Sequence, residues 1–123
     1  MFLEFEMERL QSLYENEVKY NLSDSGNHPL SMNDLLSEEE ISRILDMEIY
    51  YGYTTGDPKL LSAIASWYPE KIDESNILVT NGSAEANFLI GWTLLEPGDE
   101  VVMVLPNYMQ VPGLAKNLGA KVK

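Results

Sequence analysis

The sequence predicts an α/β chain that holds the opening of a parallel sheet. Three observations predict it. Residues 77–80 and 101–105 are short, continuous apolar runs, the pattern of strands covered on both faces. Between them Phe88, Leu89, Ile90, Leu94 and Leu95 recur with a helical period. The tight string Asn81-Gly82-Ser83 joins the first run to that helix.

Each element has its own local reason. Leu3, Met7, Leu10 and Tyr14 fall on one helical face, so an amphipathic helix is expected over residues 2–16. Residues 21–29 collect Asn, Ser, Asp, Gly and Pro and read as a loop. Ser37 and Glu40 have the spacing of a capping box, ahead of an apolar stripe formed by Ile41, Ile44, Leu45 and Ile49. Residues 50–56 hold three tyrosines and two glycines and read as an ordered loop. Asp57-Pro58 fits an N-cap followed by proline at the first helical position, opening a helix that ends near Pro69.

In the second half, a helix of about three turns is expected between the two apolar runs, with Leu95-Glu96-Pro97-Gly98-Asp99 as its stop and turn. The expected unit is βαβ with a parallel, right-handed crossover over residues 77–105. A further helix follows Pro106 and runs to about Leu118. Gly119 stops it, and Lys121-Val122-Lys123 begins another strand.

Composition removes several function classes. The chain has 123 residues, a length that suggests one domain, and 45% of them are apolar, which is enough to fold. Only 8 residues are basic against 20 acidic, and the net charge is −12. A nucleic-acid surface needs clustered Lys and Arg, and an anionic membrane would repel this chain. With no cysteine and one histidine, His28, disulfides and thiolate or histidine zinc sites are excluded. No apolar run reaches membrane-spanning length and the acidic N-terminus is not an export signal, so a cytoplasmic location is expected.

The chemistry points to one end of the sheet. The first amides of a helix lack an intrahelical acceptor and carry the positive end of its dipole. At Gly82-Ser83-Ala84 such a helix start follows a strand, with a hydroxyl beside it and a glycine that lets an anion approach: a phosphate cradle. A capped helix alone would explain the same string. Pro106-Asn107-Tyr108 ends the other run, so an aromatic ring reaches the same edge and could stack on a flat heterocycle or merely plug the sheet. Tyr51 and Tyr53 read, from residues alone, as packed loop aromatics. His28 reads as a surface residue and Glu85 as an acid favoured by the helix dipole. Neither a P-loop, nor a dinucleotide fingerprint after a strand, nor a nucleophile elbow is present.

These strings together carry a resemblance. Tyr51-Gly52-Tyr53-Thr54-Thr55-Gly56-Asp57-Pro58-Lys59-Leu60-Leu61, residues 77–86, Leu95-Glu96-Pro97-Gly98-Asp99-Glu100-Val101-Val102, Pro106-Asn107-Tyr108 and Gly119-Ala120-Lys121-Val122 occur in order and register. They resemble the N-terminal part of class I/II aminotransferases, pyridoxal-phosphate enzymes of fold type I. The resemblance runs from about Tyr51 to Lys123, with weaker likeness back to Asn21. It implies N-terminal helices plus the first parallel βαβ of the large domain. Residues 1–50 would be an N-terminal arm with part of the small domain, and residues 51–123 the start of the pyridoxal-phosphate-binding domain.

The resemblance also implies roles. Gly82, Ser83 and Ala84 match the turn that holds the cofactor phosphate, and Tyr108 the aromatic that stacks on the pyridine ring. Tyr51 matches the tyrosine that reaches the phosphate in the partner subunit of a homodimer. Gly26 matches the loop glycine whose backbone touches the substrate carboxylate. Leu61 departs from the arginine of many relatives, and Ser25-Gly26-Asn27-His28-Pro29 departs from the commonest loop form.

Such enzymes need a Schiff-base lysine, an acidic partner for the pyridinium nitrogen and a substrate-binding arginine. None of Lys19, Lys59, Lys71, Lys116, Lys121 and Lys123 lies in the family's lysine context, and Arg9 and Arg43 are not at the substrate position. The expectation is therefore the front portion of an enzyme that moves an amino group between an amino acid and a 2-oxo acid. Alone it would be inactive, bind pyridoxal 5′-phosphate weakly or not at all, and be complete only with a complementing C-terminal chain or a missing C-terminal part. Two alternatives stand beside it: a non-enzymatic binding or interaction module, and part of a lyase or decarboxylase on the same scaffold.

Overall fold

Local side-chain hydrogen bonds start α-helices at Ser31, Ser37 and Asp57. The computed structural model describes residues 4–68, 70 and 72–123 and groups the chain into two compact units, Asp24–Ile77 and the pair of segments Met1–Ser23 and Leu78–Lys123.

In the unit Asp24–Ile77, α2 (Met32–Leu35) and α3 (Glu38–Leu45) each open on a complete capping box. Ser37 Oγ accepts from the Glu40 amide, and the Glu40 carboxylate accepts from the Ser37 amide at 2.8 Å. The Ser37 bonds hold the Glu40 carboxyl below its ordinary range, as Ser31 does for Asp34. Helix α2 was not expected, although Ser31 and Asp34 repeat the Ser37–Glu40 spacing. Helix α3 ends at Leu45, before Glu48 and Ile49. Ile49 is fully exposed, so no burial offsets the entropy of extending the helix to it. Asp57 caps α4 (Pro58–Ala65), accepting from the Lys59 amide at 2.8 Å with Pro58 at the first helical position. Turns follow to Tyr68, and the expected stop at Pro69 lies outside the described residues. Helix α4 buries Leu61 and packs on a 3₁₀ turn, Glu74–Asn76.

In the other unit, α1 is shorter than expected, Glu6–Tyr14, with Phe5 at its N-cap position, and Leu3 lies outside the described residues. Helix α5 (Gly82–Leu94) has 13 residues, β1 is Glu100–Val101, α6 is Gln110–Asn117 and β2 is Lys121–Val122. Strands β1 and β2 pair in parallel, Glu100 opposite Lys121 and Val101 opposite Val122. Lys121 N donates to Asp99 O at 2.7 Å and Lys123 N to Val101 O at 2.8 Å. A parallel pair needs a crossover, and α6 supplies it. Helix α6 closes with Ala120 N on Ala115 O and Gly119 N on Lys116 O, a Schellman ending at the expected glycine. Helices α5 and α6 meet at Gly91, where an added Cβ would sit 2.5 Å from Leu114 Cδ2 and force that side chain to shift. Pro112, Ala115 and Ala120 are buried apolar residues of this unit.

One expectation is corrected. Residues 77–80 do not pair with residues 101–105: Ile77 is extended, but residues 77–80 belong to no strand, and the βαβ crossover is β1-α6-β2. A strand exists only through its neighbour's hydrogen bonds, and an apolar run does not name that neighbour. The strand-like residues are not buried on both faces either. Val102 is 80% exposed and Val104 78%. No helix among the described residues is long and apolar enough to cross a membrane.

Candidate functional site

The start of α5 is built for a turn that must stay open. Gly82 has φ +81°, which a side chain rarely tolerates, and a Cβ placed there would meet nothing within 4 Å. The turn is pinned on its inner side. Gly82 N donates to Thr80 O at 3.0 Å, and Thr80 Oγ1 donates back to Gly82 O at 3.0 Å. Asn81 N donates to Glu85 Oε2 at 2.5 Å, and the Asn81 side chain does not cap the helix. Gly82 therefore contributes shape, with its amide already bonded. The donors left at the first turn are the amides of Ser83 and Ala84 and the exposed Ser83 hydroxyl. Glu85 is an N-terminal acid on the dipole, as its position suggested.

Gln110 ties this turn to the segment that carries Tyr108. Its Nε2 donates to Ala84 O at 2.8 Å, and its Oε1 accepts from Asn87 Nδ2 at 3.1 Å. The turn at residues 82–84 and the aromatic two residues before Gln110 are thus joined through one side chain. Sequence reasoning missed Asn87 and Gln110. Their signal was weak: two amides in otherwise apolar helical runs.

Tyr108 is 38% exposed. Asn107 Oδ1 accepts from the Tyr108 amide at 2.7 Å, fixing the backbone beneath the ring. The Phe5 ring meets it edge-on, with centroids 5.0 Å apart and planes 67° apart. The Tyr108 hydroxyl donates to Glu8 Oε1. That hydrogen bond, helped by partial burial and the carboxylate charge, raises the phenol above its ordinary pKa. The Glu8→Gln variant should therefore lower the Tyr108 pKa, read as an earlier rise of the phenolate absorbance relative to a Tyr108→Phe blank. Coincident titrations in the two backgrounds would show that Glu8 does not hold the phenol.

A cleft of about 620 Å³ lies beside this region, lined by Phe5, Met7, Phe88, Met109, Pro112 and Leu114 among others, and not by residues 82–84. No cluster of three or more metal-ligating side chains occurs among the described residues.

Tyr51 and Gly26 belong to the unit Asp24–Ile77. Tyr51 is 102% exposed, so the packed-aromatic alternative does not describe it. Gly26 N donates to Asp24 Oδ1 at 2.7 Å, so its amide is engaged within its own loop.

An open glycine turn at the start of α5, tied through Gln110 to the segment that carries Tyr108, sits in an α/β arrangement with a parallel strand pair. Residues 19–123 match the family described as aminotransferase class I and II. The chain belongs to that family. Over 112 residues it is 31% identical to the aspartate aminotransferase of Musicola paradisiaca, covering 87% of this chain and 28% of that protein. Over 85 residues it is 31% identical to aromatic-amino-acid aminotransferase 1 of Thermococcus litoralis, covering 66% of this chain and 20% of that protein. Among solved structures, the alanine aminotransferase from Pyrococcus furiosus superposes with a TM-score of 0.70 at 27% identity, covering 98% of this chain and 33% of that one. The α/β fold is therefore the N-terminal part of the aminotransferase fold, and the chain spans about a quarter of the curated relatives' length. Membership implies pyridoxal phosphate as the family cofactor.

Proposed function

We propose that this chain supplies the phosphate-binding front of a pyridoxal-phosphate-dependent aminotransferase acting on an amino acid and a 2-oxo acid. The observation that carries the proposal is the open turn at Gly82 joined through Gln110 to the Tyr108 segment. The residues fit the cofactor. Ser83 and Ala84 amides with the Ser83 hydroxyl would hold the phosphate, and the Tyr108 ring would stack on the pyridine. When bound, that cofactor supplies the electron sink for breaking a bond at the amino-acid α-carbon. The residues of this chain bind and orient. The α5 dipole favours the phosphate dianion, and Gly82 leaves room for it.

The same reading assigns residues 1–50 to the arm and small domain and residues 51–123 to the cofactor domain. It places Tyr51 at the phosphate of a homodimer partner, and its full exposure supports a contact outside its own chain. It places Gly26 at the substrate carboxylate, where contact through its amide requires the Asp24 bond to open. The Schiff-base lysine and substrate arginine would come from outside residues 1–123, on the same polypeptide or on a complementing one, and the assembled enzyme is cytoplasmic and serves amino acid metabolism.

Mixing this chain with the remaining segments of a relative tests the proposal. Transamination is expected only with both, and borohydride reduction with pyridoxal phosphate should label one lysine of the added polypeptide. Stoichiometric labelling of a single lysine in this chain, with activity on its own, would show that it carries its own catalytic amine. An inert mixture without phosphate-dependent ligand binding would favour an interaction module.

A further inference from the structure

We infer that Gln110 is a positioning residue that sets the spacing between the α5 phosphate turn and the Tyr108 ring. This rests on the proposed reading of those two groups as the cofactor site. The phosphate and the ring of one ligand are covalently linked, so the protein gains from both contacts only when their sites hold a matching separation. Two different segments carry them here. The phosphate donors sit in the first turn of α5, and the ring sits in the extended stretch before α6.

Gln110 is the first residue of α6, and its side chain reaches back to α5 with both ends of its amide. Nε2 donates to the carbonyl of Ala84, inside the turn itself, at 2.8 Å. Oε1 accepts from Asn87 Nδ2, one helical turn further on, at 3.1 Å in a half-buried setting. One planar group therefore contacts α5 at residues 84 and 87, which limits both sliding and rotation of α6 along it. Tyr108 lies two residues before Gln110, and the Asn107 side chain fixes its amide. The two helices also pack where Gly91 meets Leu114, further from the turn. That contact governs approach of the helices, and Gln110 governs register at the end where the ligand would sit.

The variants Gln110→Met and Asn87→Leu remove the bridge while keeping side-chain length and apolar contact. Pyridoxine 5′-phosphate, which lacks the aldehyde and cannot react with lysines, is titrated beside inorganic phosphate and pyridoxine into this chain complemented with the remaining segments of a relative. Circular dichroism tracks the helices. In Gln110→Met the affinity for pyridoxine 5′-phosphate should fall about tenfold, while affinity for inorganic phosphate changes less than about twofold, since only the linked ligand depends on spacing. The double variant should lose little more than either single one, because both act through one bridge. In the wild-type chain the Gln110 side-chain amide protons should exchange slowly.

An equal loss for all three ligands with falling helicity would make Gln110 a plain packing residue and overturn the inference. Unchanged pyridoxine 5′-phosphate binding would overturn it too, as would fast exchange of the Gln110 amide. A wild-type chain with a protected Gln110 amide but no preference for the phosphorylated ligand would bring down the cofactor reading itself, and the positioning role with it.

Discussion

In the complemented enzyme, replacing Ser83 with aspartate should abolish measurable binding of a phosphorylated pyridine, a loss of at least about a hundredfold. Ser83 stands beside Gly82 at the first turn of α5, and its hydroxyl and amide are among the donors left there. An added carboxylate about 4 Å from a phosphate costs about 4 kcal/mol per pair of unit charges at an effective dielectric of 20, and solvent at an exposed turn reduces that. A hundredfold is about 2.7 kcal/mol. The same carboxylate favours the helix itself, because it sits on the positive end of the dipole. Helicity should therefore hold or rise while binding is lost, which separates the effect from unfolding. Ser83→Ala removes one hydroxyl and should cost about fivefold to tenfold. Pyridoxine, without phosphate, should bind all three proteins alike. Calorimetric titration reads each case. Undiminished binding by Ser83→Asp would place the phosphate elsewhere.

The second large effect concerns the chain by itself: dilute samples should melt without a cooperative transition and associate as concentration rises. Among the described residues the buried apolar side chains are Leu61, Pro112, Ala115 and Ala120, and no large side chain is fully buried. The accessible surface is 11022 Å², against about 8,000 Å² for two separate globular units of this combined mass. Helix α5 is apolar on all sides, with Phe88, Leu89, Ile90, Trp92 and Leu94, which is the composition of an interior helix. Trp92 is nevertheless 64% exposed. Uncovered apolar surface on this scale binds a partner or itself, and the open edges of a two-stranded sheet invite a further strand. Tryptophan emission should be solvent-like and readily quenched by acrylamide, and a complementing polypeptide should shift it to the blue. Sedimentation of a compact monomer that unfolds cooperatively would contradict this.

Helix starts were legible because their causes are local. Ser37 with Glu40 and Asp57 with Pro58 act within four residues, and both cap as the spacing says. Ser31 with Asp34 was equally legible and was passed over in a loop-like stretch. The tight turn into α5 could be read because a glycine, a hydroxyl and a helix start are neighbours in the chain. The partners of Tyr108 could not. Glu8 lies 100 residues away and Gln110 bonds across 26 and 23 residues to Ala84 and Asn87. Nothing in the local pattern of α1 distinguishes Glu8 from Glu4 or Glu6.

By itself, then, the sequence determined most of the helices, the caps at Ser37 and Asp57, the tight turn at Gly82 and the family to which the chain belongs. Backbone conformation and first-turn donors depend on a few adjacent residues. Only the tertiary structure decided that β1 pairs with β2 and leaves residues 77–80 without a strand partner among the described residues. It also decided that Gln110 spans the turn and that Phe5 and Glu8 meet Tyr108. Pairing and side-chain contact depend on which distant segments share space. An apolar run or a lone amide is compatible with many partners until packing selects one.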